Sequence, residues 1–309
     1  MRKNGFLSGV SLAALLFSNP AGLPRIEADE ARSSKDAAPS AAVREAAKGI
    51  LDDAVPSARR EELIKEHAQD SAALLVAMTE DLKAGTPEEY RRIPWIWRVA
   101  IAGGRRNESQ ELTKLLEVSL PSASGQLEEW QAVAIGGGLI NGVSLVGVWP
   151  AARFEELLKA RPDLKPRWAH AIKQASIMAD NEKVKTGTRY DALRMLGVEP
   201  WDRHGEHLAR YLAKGVHPEL QQGAISGLAD VPGPKTGPAL LSGFAHYSAG
   251  NQRFALDALV RDKDRISALL DAVADHRVPA EALGEERSQA LLKHEDPAVR
   301  ERAEKLLSK

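Results

Sequence analysis

The chain has 309 residues, 43% of them hydrophobic, and a formal net charge of −1. That length suffices for one elongated or two compact domains with a sizeable core, and the near-neutral charge gives nucleic-acid binding no global electrostatic support. Cysteine is absent, which excludes disulfides, thiolate metal sites, iron–sulfur clusters, a cysteine nucleophile, a lipoprotein anchor and haem attachment through C-x-x-C-H.

The first segment, "MRKNGFLSGVSLAALLF", sets Arg2 and Lys3 before an apolar run from Phe6 to Phe17, and the helix-breaking "SNPAG" follows. Charge, short apolar core and breaker in this order predict a secretory signal peptide over residues 1–28, cleaved after Ala28, and hence an extracytoplasmic protein. "DEARSSKDAAPS", residues 29–40, is small and polar and reads as a flexible leader. No later segment is long and apolar enough to cross a membrane.

From Ala41 onward apolar residues recur at three- and four-residue intervals, and no alternating β-branched run is bounded by hairpin turns, so the expectation is all-α. Prolines mark helix entries at Pro87, Pro150, Pro166, Pro218, Pro238, Pro279 and Pro297, where a missing N–H costs nothing. In "TPEE", Thr86 and Glu89 have the spacing of a capping box. Asp296 before Pro297 is expected to cap the last helix, with Arg300 pairing either with it or with the preceding unit.

The glycines of "AVAIGGGLINGVSLVG", Ala132 to Gly147, do not form a nucleotide loop: a G-x-G-x-x-G read from Gly136 meets Asn141 where glycine is required. No Walker lysine follows either. The segment is expected to be a helix whose Gly136, Gly137, Gly138 and Gly142 admit a close neighbour, although each internal glycine disfavours helix by roughly 1 kcal/mol.

A polar residue followed three later by alanine and seven later by leucine occurs at Arg189/Ala192/Leu196, Gln221/Ala224/Leu228, Gln252/Ala255/Leu259 and Arg300/Ala303/Leu307. The first three copies are 32 and 31 residues apart, two short helices per unit; the last interval of 48 has room for one more helix. A second series sets Trp97, Trp130 and Trp168 seven residues before Gly104, Gly137 and Ala175. Such periods predict an α-solenoid of stacked helix pairs, with all six tryptophans, Trp95 to Trp201, used mainly in its core.

"HEDPAVRERAEKLL", His294 to Leu307, resembles the second helix of a HEAT repeat. With "PELQQGAISGLADV" and "QRFALDALVRDKDRISALLDAVADHRVPAEAL", residues 41–309 resemble the HEAT-like helical domain of planctomycete-type membrane-bound dehydrogenase or PVC-type haem-binding proteins. The resemblance implies a helical spacer and an envelope compartment. It transfers no catalytic or haem residue, because the propeller and C-x-x-C-H that accompany the helices in that family are absent from this chain.

No catalytic, cofactor-binding or metal-ligating residue is nominated, and no cofactor is expected. Asp202, His204 and His207 in "WDRHGEH" share a helix start but lack the H-E-x-x-H spacing, and solvation is their expected use. "GVSLVG" around Ser144 has valine at Val146 where a nucleophile elbow needs glycine. His170 and His246 are isolated helical histidines. The expected function is a secreted, non-catalytic HEAT-repeat scaffold with a protein partner and no nucleic acid. The alternatives are an accessory of a haem or dehydrogenase electron-transfer assembly and, further off, an enzyme acting on an envelope polymer.

Overall fold

A computed structural model describes residues 38–307, and every ordered element among them is helical, with no strand. The expected signal peptide and most of the leader lie outside the described residues. Ser40, placed at the end of that leader, is the N-cap of the first helix, its side chain accepting from Val43 N–H at 3.3 Å.

The chain runs through α1 (Ala41–Leu51), α2 (Ser57–Glu66), α3 (Ser71–Thr79), α4 (Pro87–Arg106), α5 (Ser109–Ser119) and α6 (Glu129–Leu145). It continues through α7 (Pro150–Ala160), α8 (Lys165–Asp180), α9 (Thr186–Leu196), α10 (Trp201–Arg210) and α11 (Pro218–Ala229). The last five are α12 (Thr236–Ser242), α13 (Ala249–Leu259), α14 (Lys263–Ala274), α15 (Gly284–Leu292) and α16 (Pro297–Leu307). In one series α4 packs on α6, α6 on α9, α9 on α11 and α11 on α13; in another α12 packs on α14 and α14 on α16. One apolar core continues from Val43 to Ala303.

The residue pattern explains the first series. Ala192, Ala224 and Ala255 are fully buried where α9, α11 and α13 face their neighbours, and Leu196, Leu228 and Leu259 fill the space one turn on. The polar member of each triplet has one job: Arg189 Nε donates to Ala179 O at 2.8 Å, Gln221 Nε2 to Ala213 O at 2.9 Å and Gln252 Nε2 to Phe244 O at 3.1 Å. Each thus satisfies a carbonyl left near the end of the preceding helix, the kind of group a helix terminus leaves unpaired. The fourth copy departs from this. Arg300, Ala303 and Leu307 lie on α16, whose main neighbours are α14 and α15, so this triplet belongs to the other series. Likewise Trp97 and Trp130 lie on the adjacent α4 and α6, whereas Trp168 lies on α8, which packs on α9.

Proline entry holds at the first or second position of α4, α7, α8, α11 and α16. Pro238 is the third residue of α12, and Pro279 precedes a 3-10 turn rather than an α-helix. Thr86 caps Glu89 N–H at 3.3 Å, but the Glu89 carboxylate accepts from Gly85 N–H at 2.6 Å and Trp130 N–H at 3.0 Å instead of closing the box. Asp296 accepts from Ala298 N–H at 2.9 Å, and Lys263 is its ion partner. Arg300 reaches the His294 and Glu295 carbonyls.

The glycine segment is helical, and its centre, Val133–Ile140, is wound as a π-helix in which every residue is buried. Successive glycines face different neighbours: a Cβ on Gly136 would strike the Asp191 backbone of α9, one on Gly138 the Ala100 methyl of α4. Gly142 and Gly104 meet backbone to backbone. The Gly137 carbonyl receives Trp97 Nε1–H at 2.8 Å.

Gly142→Ala, whose Cβ would lie 2.7 Å from Gly104 Cα and 2.8 Å from Arg105 N, should cost about 1–3 kcal/mol of unfolding free energy through overpacking. Gly250→Ala, with only Ser248 Oγ near at 3.8 Å, should stabilise by about 0.5 kcal/mol. Urea titration of the two variants checks both signs. Replacing the Asp296 cap by alanine should cost about 1 kcal/mol in the same assay.

Candidate functional site

Two polar constellations stand out from the apolar core. One is a buried junction centred on Asp230, just past α11. Its carboxylate, 1% exposed, accepts from Ser144 Oγ at 2.7 Å, Arg194 at 3.0 Å and Arg261 at 2.7 Å. Arg261 also donates to Ala229 O at 2.9 Å and lies over the Trp149 ring at 4.5 Å. Arg265, fully buried, shares that ring, pairs with Asp262 at 2.8 Å and donates to Ala229 O and Ala258 O. Burial pulls its pKa down to about 10, so it stays charged at neutral pH. Ser144, from the elbow-like "GVSLVG", is therefore a strut between α6 and α11, with its hydroxyl committed to a carboxylate.

On the neighbouring turn of α9, Asp191 lies against Gly137. Burial pushes its carboxyl well above the ordinary range; Arg194 opposes the shift and Glu219 adds to it. The folded chain thus holds a proton that the unfolded chain releases near pH 3.8. The stability due to that proton is complete below this pH and declines as pH rises from there towards the folded-state pKa.

The second constellation lies on α8 and α10. Ser176 and Asp180 stand four residues apart on α8, so their side chains share one helix face, and both address His207 of α10. His207 Nε2 is 2.8 Å from Asp180 Oδ1, and Ser176 Oγ is 3.5 Å from Nδ1. With Asp180 accepting the Nε2 proton, Nδ1 is left with its lone pair towards the serine. Tyr211 stacks on the imidazole, centroids 6.0 Å apart, and donates to Asp180 Oδ1 at 2.6 Å. Burial tends to raise the Asp180 pKa, but the bonds from Tyr211 and His207 outweigh it and hold the carboxyl below its usual value. Asp180 is therefore ionised at neutral pH.

Beside this chain of groups opens a cleft of about 330 Å³. Trp168, Ala169 and Ile172 form its apolar side, while Lys173, Ser176, Glu199, Arg203 and His204 form the polar one. Arg203 pairs with Glu199 at 3.0 Å. Burial lowers the His204 pKa from 6.5, which leaves that ring neutral at pH 7.

The structure separates the histidine cluster of the sequence. Asp202 turns outward to Lys235 at 3.1 Å, His204 lines the cleft and His207 meets Asp180. No group of three or more metal-ligating side chains occurs among the described residues. His170 bonds Gly125 O at 2.7 Å, and His246 is exposed. Of the tryptophans only Trp168 is buried; Trp95 is covered by Arg60 and Arg98, with centroid distances of 4.4 and 4.9 Å. Sequence reasoning missed Ser176, Asp180 and Tyr211. The one available signal was spacing, since Ser176 precedes His207 by 31 residues, the interval of the alanine–leucine series.

No protein-family model, curated protein or solved structure matches this chain. Among the described residues no single helix is long and apolar enough to cross a membrane.

Asp230→Ala should destabilise the fold by about 3–5 kcal/mol, because two guanidinium groups lose a buried counter-charge; thermal unfolding checks this. Asp191→Asn should flatten the decline of stability that sets in as pH rises above about 4. A pH series of urea midpoints would show it.

Proposed function

We propose that the chain is a helical-repeat scaffold, an α-solenoid of HEAT-like helix pairs, which acts outside the cytoplasm and binds a macromolecular partner. The observation that carries the reading is the recurring tie of Arg189, Gln221 and Gln252 to the preceding carbonyl, at intervals of 32 and 31 residues on the serially packed α9, α11 and α13. Stacked units of this kind offer more continuous surface than a globule of equal length. Balanced charge favours a protein partner over nucleic acid. The resemblance of residues 41–309 to the helical domain of planctomycete-type dehydrogenase or haem-binding proteins supports an envelope setting, and the segment from Arg2 to Phe17 supports export.

Two measurements test the reading. The native protein's N-terminal sequence should begin near Asp29; an intact Met1 terminus in the cytosol contradicts export. Photo-reactive residues introduced at the exposed Glu206 of α10 and Ser242 of α12 should both label one and the same envelope protein. Unrelated products at the two positions, or none, would refute the scaffold reading.

A further inference from the structure

Ser176 does not spend its hydroxyl within its own helix. Thr79 Oγ1 returns its proton to Leu75 O at 2.8 Å, and Thr113 Oγ1 to Ser109 O at 2.7 Å, the usual use of such a side chain within a helix. Ser176 makes no such bond among the described residues. Its hydroxyl is directed across to the lone pair of His207, at the edge of the cleft between α8 and α10. Its imidazole partner is held on its far side by an ionised carboxylate and is stacked on Tyr211, so the ring's tautomer and orientation are both set. Nucleophile, base and orienting acid are thereby aligned, the arrangement that activates a serine irrespective of fold.

We infer that Ser176 is an acyl-accepting nucleophile, with His207 as its general base and Asp180 as a positioning residue, and that the α8–α10 cleft takes a small carboxylic ester. The apolar wall of Trp168, Ala169 and Ile172 receives the acyl group. Lys173, one turn before Ser176, forms no ion pair among the described residues, so its ammonium is available to the carbonyl oxygen as negative charge develops there. Ser176 Oγ bonds to the acyl carbon as its proton moves to His207 Nδ1. The bond from that carbon to the alkoxy oxygen then breaks, and the alcohol leaves with the proton. Water, deprotonated by Nδ1, adds to the acyl-serine; the carboxylic acid departs and the proton returns to Oγ. No oxidant or other co-reactant is required. The resting contact of 3.5 Å is long for proton transfer, a separation that commonly shortens once substrate fills a site.

The test uses the purified full chain, a fluorophosphonate probe and p-nitrophenyl acetate. Intact mass should show one fluorophosphonate adduct, peptide mapping should place it on Ser176, and the ester should give a burst of one equivalent of nitrophenol. Ser176→Ala and His207→Gln should each lower the labelling rate at least 100-fold with an unchanged circular dichroism spectrum. The titratable and charged groups around the imidazole are Asp180, Tyr211, Arg210 and His204. Asp180→Asn removes the anion among them, so the pH midpoint of labelling should move to lower pH, a change that a purely structural carboxylate would not produce. As a check independent of the alanine variant, Ser176→Cys should react with iodoacetamide at least tenfold faster than Ser242→Cys. Absence of an adduct on the unsubstituted chain, an adduct that persists in Ser176→Ala, or labelling no faster than that of the heat-unfolded chain overturns the assignment.

Discussion

The fold depends on how closely the backbone of α6 approaches the helices on either side. Gly138 lies against Ala100 of α4, Gly136 against the Asp191 backbone of α9, and Gly142 against Gly104. A side chain at any of these positions would separate the helices. Within this π-wound segment consecutive glycines face different neighbours, and the Gly137 carbonyl accepts from Trp97. Such a segment has poor intrinsic helix propensity, so its stability comes from tertiary packing on both flanks.

The polar seam next to α6 completes that contact. Ser144, Arg194, Asp230 and Arg261 come from the end of α6, from α9 and from the turns after α11 and α13. The group is a cross-tie spanning up to 117 residues of chain. Buried ion pairs contribute little net stability compared with apolar packing, yet they are intolerant of losing a member. The seam thereby fixes one relative placement of α6, α9 and α11. The cleft between α8 and α10 shares a boundary with this fixed part, since α8 packs on α9 and α10 on α11.

Local rules were sufficient for much of this. Helix entries followed from the capping chemistry of Thr86 and Asp296, and the buried faces of α9, α11 and α13 followed from alanine and leucine at fixed offsets, whereas the cap at Ser40 was hidden in what reads as a leader. The same rules misplaced the Arg300 triplet, because a helix start and its buried face look alike whichever neighbours the helix has. Glu89 shows the limit well. Its spacing from Thr86 suggested a local box, but its carboxylate is drawn to Trp130 N–H, 41 residues away. The Asp180–His207–Ser176 line has the same character: His207 is conspicuous in the sequence, while its two partners are ordinary residues of a different helix.

The burial of α6 on both flanks also has a consequence for the order of events during synthesis. Its second flank, α9, ends about fifty residues beyond the end of α6. At the usual ribosomal rate of roughly 5–20 residues per second, the run from Val133 to Val143 leaves the ribosome several seconds before its partner exists. During that interval this apolar, glycine-rich stretch has α4 on one side and nothing on the other. Its uncovered face is closed only when the helix from Thr186 to Leu196 arrives.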